Sequence, residues 1–207
     1  MQQKIINVYP FEELGKYAQE RVLEKFRYIN VEDEVWYEPI IEYYKKQLEQ
    51  HGFTDIEISF TGFYSQGDGA SFTGKIDLVK WLTLNQLTEK YTKAYQYVQS
   101  VDRYRTDIFE IKRIDNYYHH EKTCRLDLDT FEPCDYNGEY TPEEDGAINK
   151  ELEEIQPIIE TERLEWCKKI YKSLRDTYES LTEDSALKEM FDANNFLFTE
   201  YGELFTN

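Results

Sequence analysis

The stretch Ser59 to Gly74, Ser-Phe-Thr-Gly-Phe-Tyr-Ser-Gln-Gly-Asp-Gly-Ala-Ser-Phe-Thr-Gly, constrains the fold more than any other part of the chain. It holds four of the nine glycines, so the backbone turns sharply here. Before the turn, Ile56, Ile58 and Phe60 alternate with Glu57 and Ser59, the period of a half-buried strand. After it, Phe72 and Ile76 share one parity, with Gly74 between them. Gly67, Asp68 and Gly69 tolerate or supply positive φ between the two runs. The spacing predicts an antiparallel hairpin.

Around that hairpin the chain alternates helical and extended patterns. Residues 3–9 read as a short strand. Pro10 opens a helix carrying Phe11, Leu14, Ala18, Val22 and Phe26 on one stripe. A second helix, about 32–50, contains Pro39, which predicts a kink or a late start, and it stops at His51-Gly52. A helix follows from Val79 through Val98. Residues 104–129 read as a second hairpin, with mixed parity over Ile108–Ile114 and clean alternation at Cys124, Leu126 and Leu128. A polar loop over about 130–147 reads as a mobile insertion. A long helix then carries Leu152, Ile155, Ile159, Trp166, Ile170, Leu174 and Tyr178. Thr182 is expected to cap a last short helix, and the tail is expected to turn back at Tyr201-Gly202. The sum is a single α+β domain over residues 1–207. Its mostly antiparallel sheet has about four or five strands, with helices on one face and a long C-terminal helix.

Aromatic residues make up 16% of the chain, including eighteen Tyr, which argues against disorder and suits a surface with wet hydroxyls and buried rings. Asp and Glu outnumber Lys and Arg by 42 to 24, for a formal charge of −18. Such a field repels nucleic acid and anionic lipid and favours basic partners. No run approaches the ~20 apolar residues of a membrane span, and the N-terminus lacks a signal-peptide core. Cys124, Cys134 and Cys167 are odd in number and without close pairs, which points to reduced thiols in a cytoplasmic setting, with Cys124 and Cys167 core or half-buried.

Two constellations could carry function. The first is the turn itself, Gln66, Gly67, Asp68, Gly69 and Ser71, joined by His119 or His120. Its backbone N–H groups could form an anion nest, and Asp68 could meet a cation. It lacks the Gly-Lys-Ser/Thr ending of a phosphate loop and the further acidic ligands of a calcium loop. Adjacent histidines on a strand face opposite sides, so both cannot readily bind one metal; no metal, cofactor or catalytic residue is assigned. The tight turn also has a purely geometric explanation. The second constellation is acidic: Glu143, Glu144, Asp145, Glu153, Glu154 and Glu160. A row of carboxylates can imitate a phosphate backbone, although most charged faces are merely solvated.

The run Ser59 to Phe72 is similar to one found in a family of small acidic proteins encoded by tailed bacteriophages and prophages. A Phe-Glu-Glu-Leu helix (Phe11 to Leu14) before it and an Asn-Xaa-Phe-Xaa-Phe-Thr-Glu-Xaa-Gly segment (Asn194 to Gly202) after it resemble the ends of those proteins. No activity or catalytic residue comes with the resemblance. It implies a phage accessory gene acting in the host bacterial cytoplasm, and such genes often inhibit host defence proteins, as anti-CRISPR proteins do. The expected function is therefore non-enzymatic. The chain would bind a basic, nucleic-acid-binding bacterial defence protein by acidic mimicry, without touching nucleic acid or membrane itself. A nucleotide- or small-ligand-binding protein or enzyme centred on the Gln66–Ser71 turn is the alternative, and an assembly role as a homo-oligomer is the third.

Overall fold

A computed structural model describes residues 6–100, 108–128 and 141–205. The fold is α+β, with a four-stranded antiparallel sheet, a two-stranded sheet and helices that include one of 40 residues. The chain divides into two compact units, residues 1–39 with 174–207, and residues 40–173.

The larger unit is built on the expected hairpin. Strand β2 (Phe53–Thr61) pairs with β3 (Gly69–Ile76), and β4 (Phe109–Arg113) and β5 (Cys124–Leu128) extend the sheet in the order β2-β3-β4-β5. The register places Ile58 opposite Phe72, Phe60 opposite Ala70, Gly74 opposite Ile111 and Leu126 opposite Ile111 on its other side. Paired residues share a face, so Phe72, Ile76, Phe109, Ile111 and Leu126 form one apolar face. Glu110, Lys112, Arg125 and Asp127 lie on the other. The mixed parity over 108–114 thus resolves with Phe109 and Ile111 inward, both at most 1% exposed. A bulge between Thr54 and Glu57, with Asp55 at φ 51°, shifts the first strand's register.

Helix α2 (Glu38–Gln50) begins one residue before Pro39, the late start rather than the kink, because a proline fits the first turn. It ends at Gly52, whose φ of +90° is left-handed. The helix expected from Val79 through Val98 is two helices, α3 (Leu78–Leu84) and α4 (Thr92–Ser100). Asn85 Nδ2 donates to Trp81 O at 3.0 Å, Gln86 turns left-handed at φ 57°, and Leu87 N returns to Leu82 O at 2.9 Å. Such side-chain competition for backbone partners ends a helix.

Helix α5 (Pro142–Leu181) starts earlier than its apolar pattern shows, so Glu143, Glu144 and Asp145 are helical rather than looped. Residues 130–140 of the expected mobile insertion, Cys134 included, lie outside the described residues. Thr141 and Glu144 explain the start. Thr141 N and Oγ1 donate to Glu144 Oε2 at 2.8 and 2.9 Å, and Glu144 N donates back to Thr141 Oγ1 at 3.3 Å. This is a capping box with Pro142 at the first helical position. Helix α5 lies against the sheet through Gln156 Nε2, which donates to Leu126 O at 3.0 Å, and buries Leu152, Ile155, Ile159 and Ile170.

In the smaller unit, β1 (Val8–Tyr9) pairs with β6 (Phe198–Thr199). The helix expected from Pro10 is a 3-10 turn, Phe11–Glu13, then extended Leu14, then α1 (Lys16–Lys25). Phe11, Leu14, Val22, Leu187, Phe191 and Phe198 form its core. Helix α6 (Asp184–Ala193) is preceded by Glu183, not capped by Thr182. The Thr182 hydroxyl donates back to Tyr178 O at 2.9 Å and closes α5 instead. The tail turns at Tyr201-Gly202 as expected, with Thr199 N donating to Glu203 O at 2.8 Å. No helix among the described residues is long and apolar enough to cross a membrane.

Candidate functional site

The glycine-rich turn connects β2 to β3 and closes on itself. Asp68 N donates to Ser65 O at 3.2 Å, and Ser65 N donates to Asp68 Oδ2 at 2.6 Å. The β4–β5 connection folds over it. There Asp115 Oδ1 accepts from Tyr117 N at 2.7 Å, and Thr123 O accepts from Ile114 N at 2.8 Å. The glycines admit this neighbour. A Cβ on Gly67 would lie 2.6 Å from the Tyr118 ring, and one on Gly69 would lie 2.5 Å from His120 Cβ. Close approach by a second loop therefore explains the glycines, and the turn's inner side is occupied by protein.

The candidate ligand residues have internal partners. His119 Nδ1 lies 2.6 Å from Arg113 Nη1, which also leaves Nη2 to donate to Ser59 Oγ at 3.1 Å. A guanidinium only donates, so Nδ1 accepts and the ring is neutral. Burial, and then the Arg113 charge, hold the His119 pKa below its usual 6.5. His120 Nδ1 accepts from Lys122 N at 3.2 Å. Ser71 is fully buried and bonds Thr123 Oγ1 at 3.2 Å, and that hydroxyl donates to His120 O at 2.7 Å. Gln66 is exposed on the turn. Among the described residues no group of three or more His, Cys, Asp or Glu is placed to hold a metal ion.

What the two loops present outward is aromatic. Tyr64 and Tyr117 are 72% and 78% exposed, and Tyr118 stands against Tyr117 with ring centroids 4.6 Å apart. Behind them Phe63 stacks on Tyr171 of α5 at 5.7 Å. The two tyrosine-bearing loops meet at Gly67 and Gly69, and tyrosine side chains lose little conformational freedom on binding.

Helix α5 holds the β4–β5 connection through Arg163, 1% exposed. Its Nε and Nη2 donate to the two oxygens of Glu160 at 2.7 and 2.6 Å, and Nη2 also donates to Glu121 O at 3.0 Å. Sequence reading passed over Arg163, because nothing local marks a buried guanidinium. Cys167 and Cys124 are buried free thiols, and burial pushes Cys167 up to about 12. One carboxylate of the same helix, Glu162, accepts from two indoles, Trp81 Nε1 at 2.7 Å and Trp166 Nε1 at 3.2 Å.

The six acidic positions thus have different surroundings. Glu143, Glu144, Glu153 and Glu154 are exposed. The backbone N–H of Thr141, and then its hydroxyl, hold Glu144 below the usual carboxylate range. Asp145 is buried. Glu160 is held by Arg163, so its charge is neutralised locally. Glu143 and Glu154, eleven residues apart, fall on one side of the helix, with Lys150 between them in the same line.

A family model described as a domain of unknown function (DUF8835) matches residues 36–184. The match covers more than half of the chain and all of the unit 40–173, and the chain belongs to that family. No curated protein matches it, and no solved structure does.

Proposed function

We propose that this member of the family is an accessory protein of a tailed phage or prophage. It binds a basic, nucleic-acid-binding bacterial defence protein and occupies the cleft that would hold nucleic acid. The observation that carries this reading is the set of exposed carboxylates Glu143, Glu144, Glu153 and Glu154 on α5, in a chain of net charge −18. Glu143 and Glu154 lie on one line about 16 Å apart at 1.5 Å per residue, with Glu153 and Glu144 roughly 80–100° to either side of it, so a cationic cleft that wraps the helix would meet all four. The field speeds encounter and orients the partner, and the tyrosine surface supplies apolar contact. Asp145 and Glu160 take no part in the contact, since one is buried and the other is bonded to Arg163.

The test is charge reversal. The triple variant Glu143→Lys/Glu153→Lys/Glu154→Lys leaves the capping carboxylate Glu144 in place and changes only exposed side chains. Its inhibition of a defence nuclease, and its affinity at low salt, should fall by about tenfold or more, chiefly through slower association. Unchanged inhibition by a folded triple variant would refute mimicry.

A further inference from the structure

The smaller unit carries a groove of about 740 Å³ that the acidic-helix reading does not use. Its floor is apolar and only half-covered: Ile29, Val35, Trp36, Leu181 and Met190, with Val35 66% exposed. Two carboxylates, Asp33 and Glu189, stand in its lining. Among the described residues neither is in an ion pair. We propose that this groove docks a basic amphipathic helix of a partner protein, with apolar side chains on the floor and Lys or Arg against Asp33 and Glu189.

Three observations select that occupant. The carboxylates and the net charge of −18 favour a cationic ligand and oppose an anionic one. The lining residues come from α5, α6, the short helical turns 29–31 and 34–36 and Asp33, which caps the second turn, and none comes from a strand. The groove's described lining therefore offers no strand edge for an extended peptide to join, whereas a cleft between helices is the setting in which an amphipathic helix lies. Ile29, Asp33, Val35, Glu189 and Met190 also fall outside residues 36–184, so the surface is largely separate from the part matched to the family. Its partner need not be the one that meets the acidic end of α5.

The probe is a fluorescent Leu/Lys peptide patterned as an amphipathic helix, compared with an all-Lys peptide of equal charge, at ~0.15 M salt to screen diffuse attraction. The wild-type chain should bind the Leu/Lys peptide about tenfold more tightly than the all-Lys one, by fluorescence anisotropy. Asp33→Asn/Glu189→Gln should weaken binding about tenfold, whereas the charge-matched pair Glu57→Gln/Glu89→Gln, both exposed and away from the groove and from the acidic end of α5, should change it less than about twofold. Asn at position 33 keeps the oxygen that accepts from Val35 N at 3.1 Å. Ala193→Lys, an exposed position of α6 on the groove wall, should block the peptide. Equal weakening by the two pairs, or equal affinity for the two peptides, would overturn the proposal in favour of diffuse charge. A self-associating chain that Ala193→Lys renders monomeric in sedimentation would overturn it in favour of a second copy.

Discussion

Removing the carboxylate beside Arg163 should be among the most damaging single changes available outside the apolar core. In Glu160→Met the guanidinium, 1% exposed, keeps the Glu121 carbonyl and the Cys167 sulfur but loses its counter-charge. Breaking a fully buried pair in this way costs about 3–5 kcal/mol. Glu160 is 32% exposed, so water can approach the vacated side, and about 3 kcal/mol is the expected figure. In a chain of this size that lowers Tm by roughly 6–12 °C. Arg163→Met should cost nearly as much, because the Glu121 carbonyl loses its donor. The double variant removes both charges and should keep only the carbonyl's loss, about 1–2 kcal/mol. Urea unfolding followed by tryptophan fluorescence gives the four corners of the cycle. Amide exchange at Thr123, whose N–H donates to His120 O at 2.9 Å, should quicken in both single variants as the β4–β5 connection loses its support. A Glu160→Met chain as stable as wild type, or a double variant no better than Arg163→Met, would refute the reasoning.

Gly69→Ala should destabilise by about 1–3 kcal/mol, since its Cβ would meet His120 at 2.5 Å; an unchanged urea midpoint would contradict the interlocked loops. Gly146→Ala, with open space around it in the first turns of α5, should stabilise by about 0.5–1 kcal/mol in the same assay. The His119 pKa lies below 6.5 in the folded chain, so as pH falls through 6.5 the unfolded chain takes up its proton first and stability declines until folded His119 also protonates. His119→Gln keeps an acceptor for Arg113 and should remove that part of the decline, seen as a shallower fall of the urea midpoint with acid; parallel profiles would contradict it. Cys167, with its thiol pushed up to about 12, should resist alkylation at neutral pH until the protein is unfolded, as read by peptide mass spectrometry.

The features legible in the sequence are those whose causes are local. Ile58 and Phe60 pair with Phe72 and Ala70 because alternation and a glycine turn set the register. Gly52 ends α2, and Tyr201-Gly202 turns the tail, for the same short-range reasons. The start of α5 was equally legible, since Thr141-Pro142-Glu143-Glu144 spells its capping box, but the surrounding polar composition reads as loop. What was not legible depends on distant partners. Gly67 and Gly69 look like residues of a free turn until Tyr118 and His120 arrive from about fifty residues away. Glu160 looks like its exposed neighbours Glu153 and Glu154 until Arg163 is seen to be buried. Asp145, in a run of acids at the helix start, gives no sequence sign of being buried.

The acidic end of α5 is tested most directly by quantitative affinity capture. Tagged wild-type chain and the Glu143→Lys/Glu153→Lys/Glu154→Lys variant are compared side by side in a bacterial lysate containing defence systems, at low and moderate salt. A basic nucleic-acid-binding protein enriched by the wild type, weakened by salt and lost with the variant, is the expected result. Enrichment of no such protein, or equal enrichment by both chains, would contradict the proposed function.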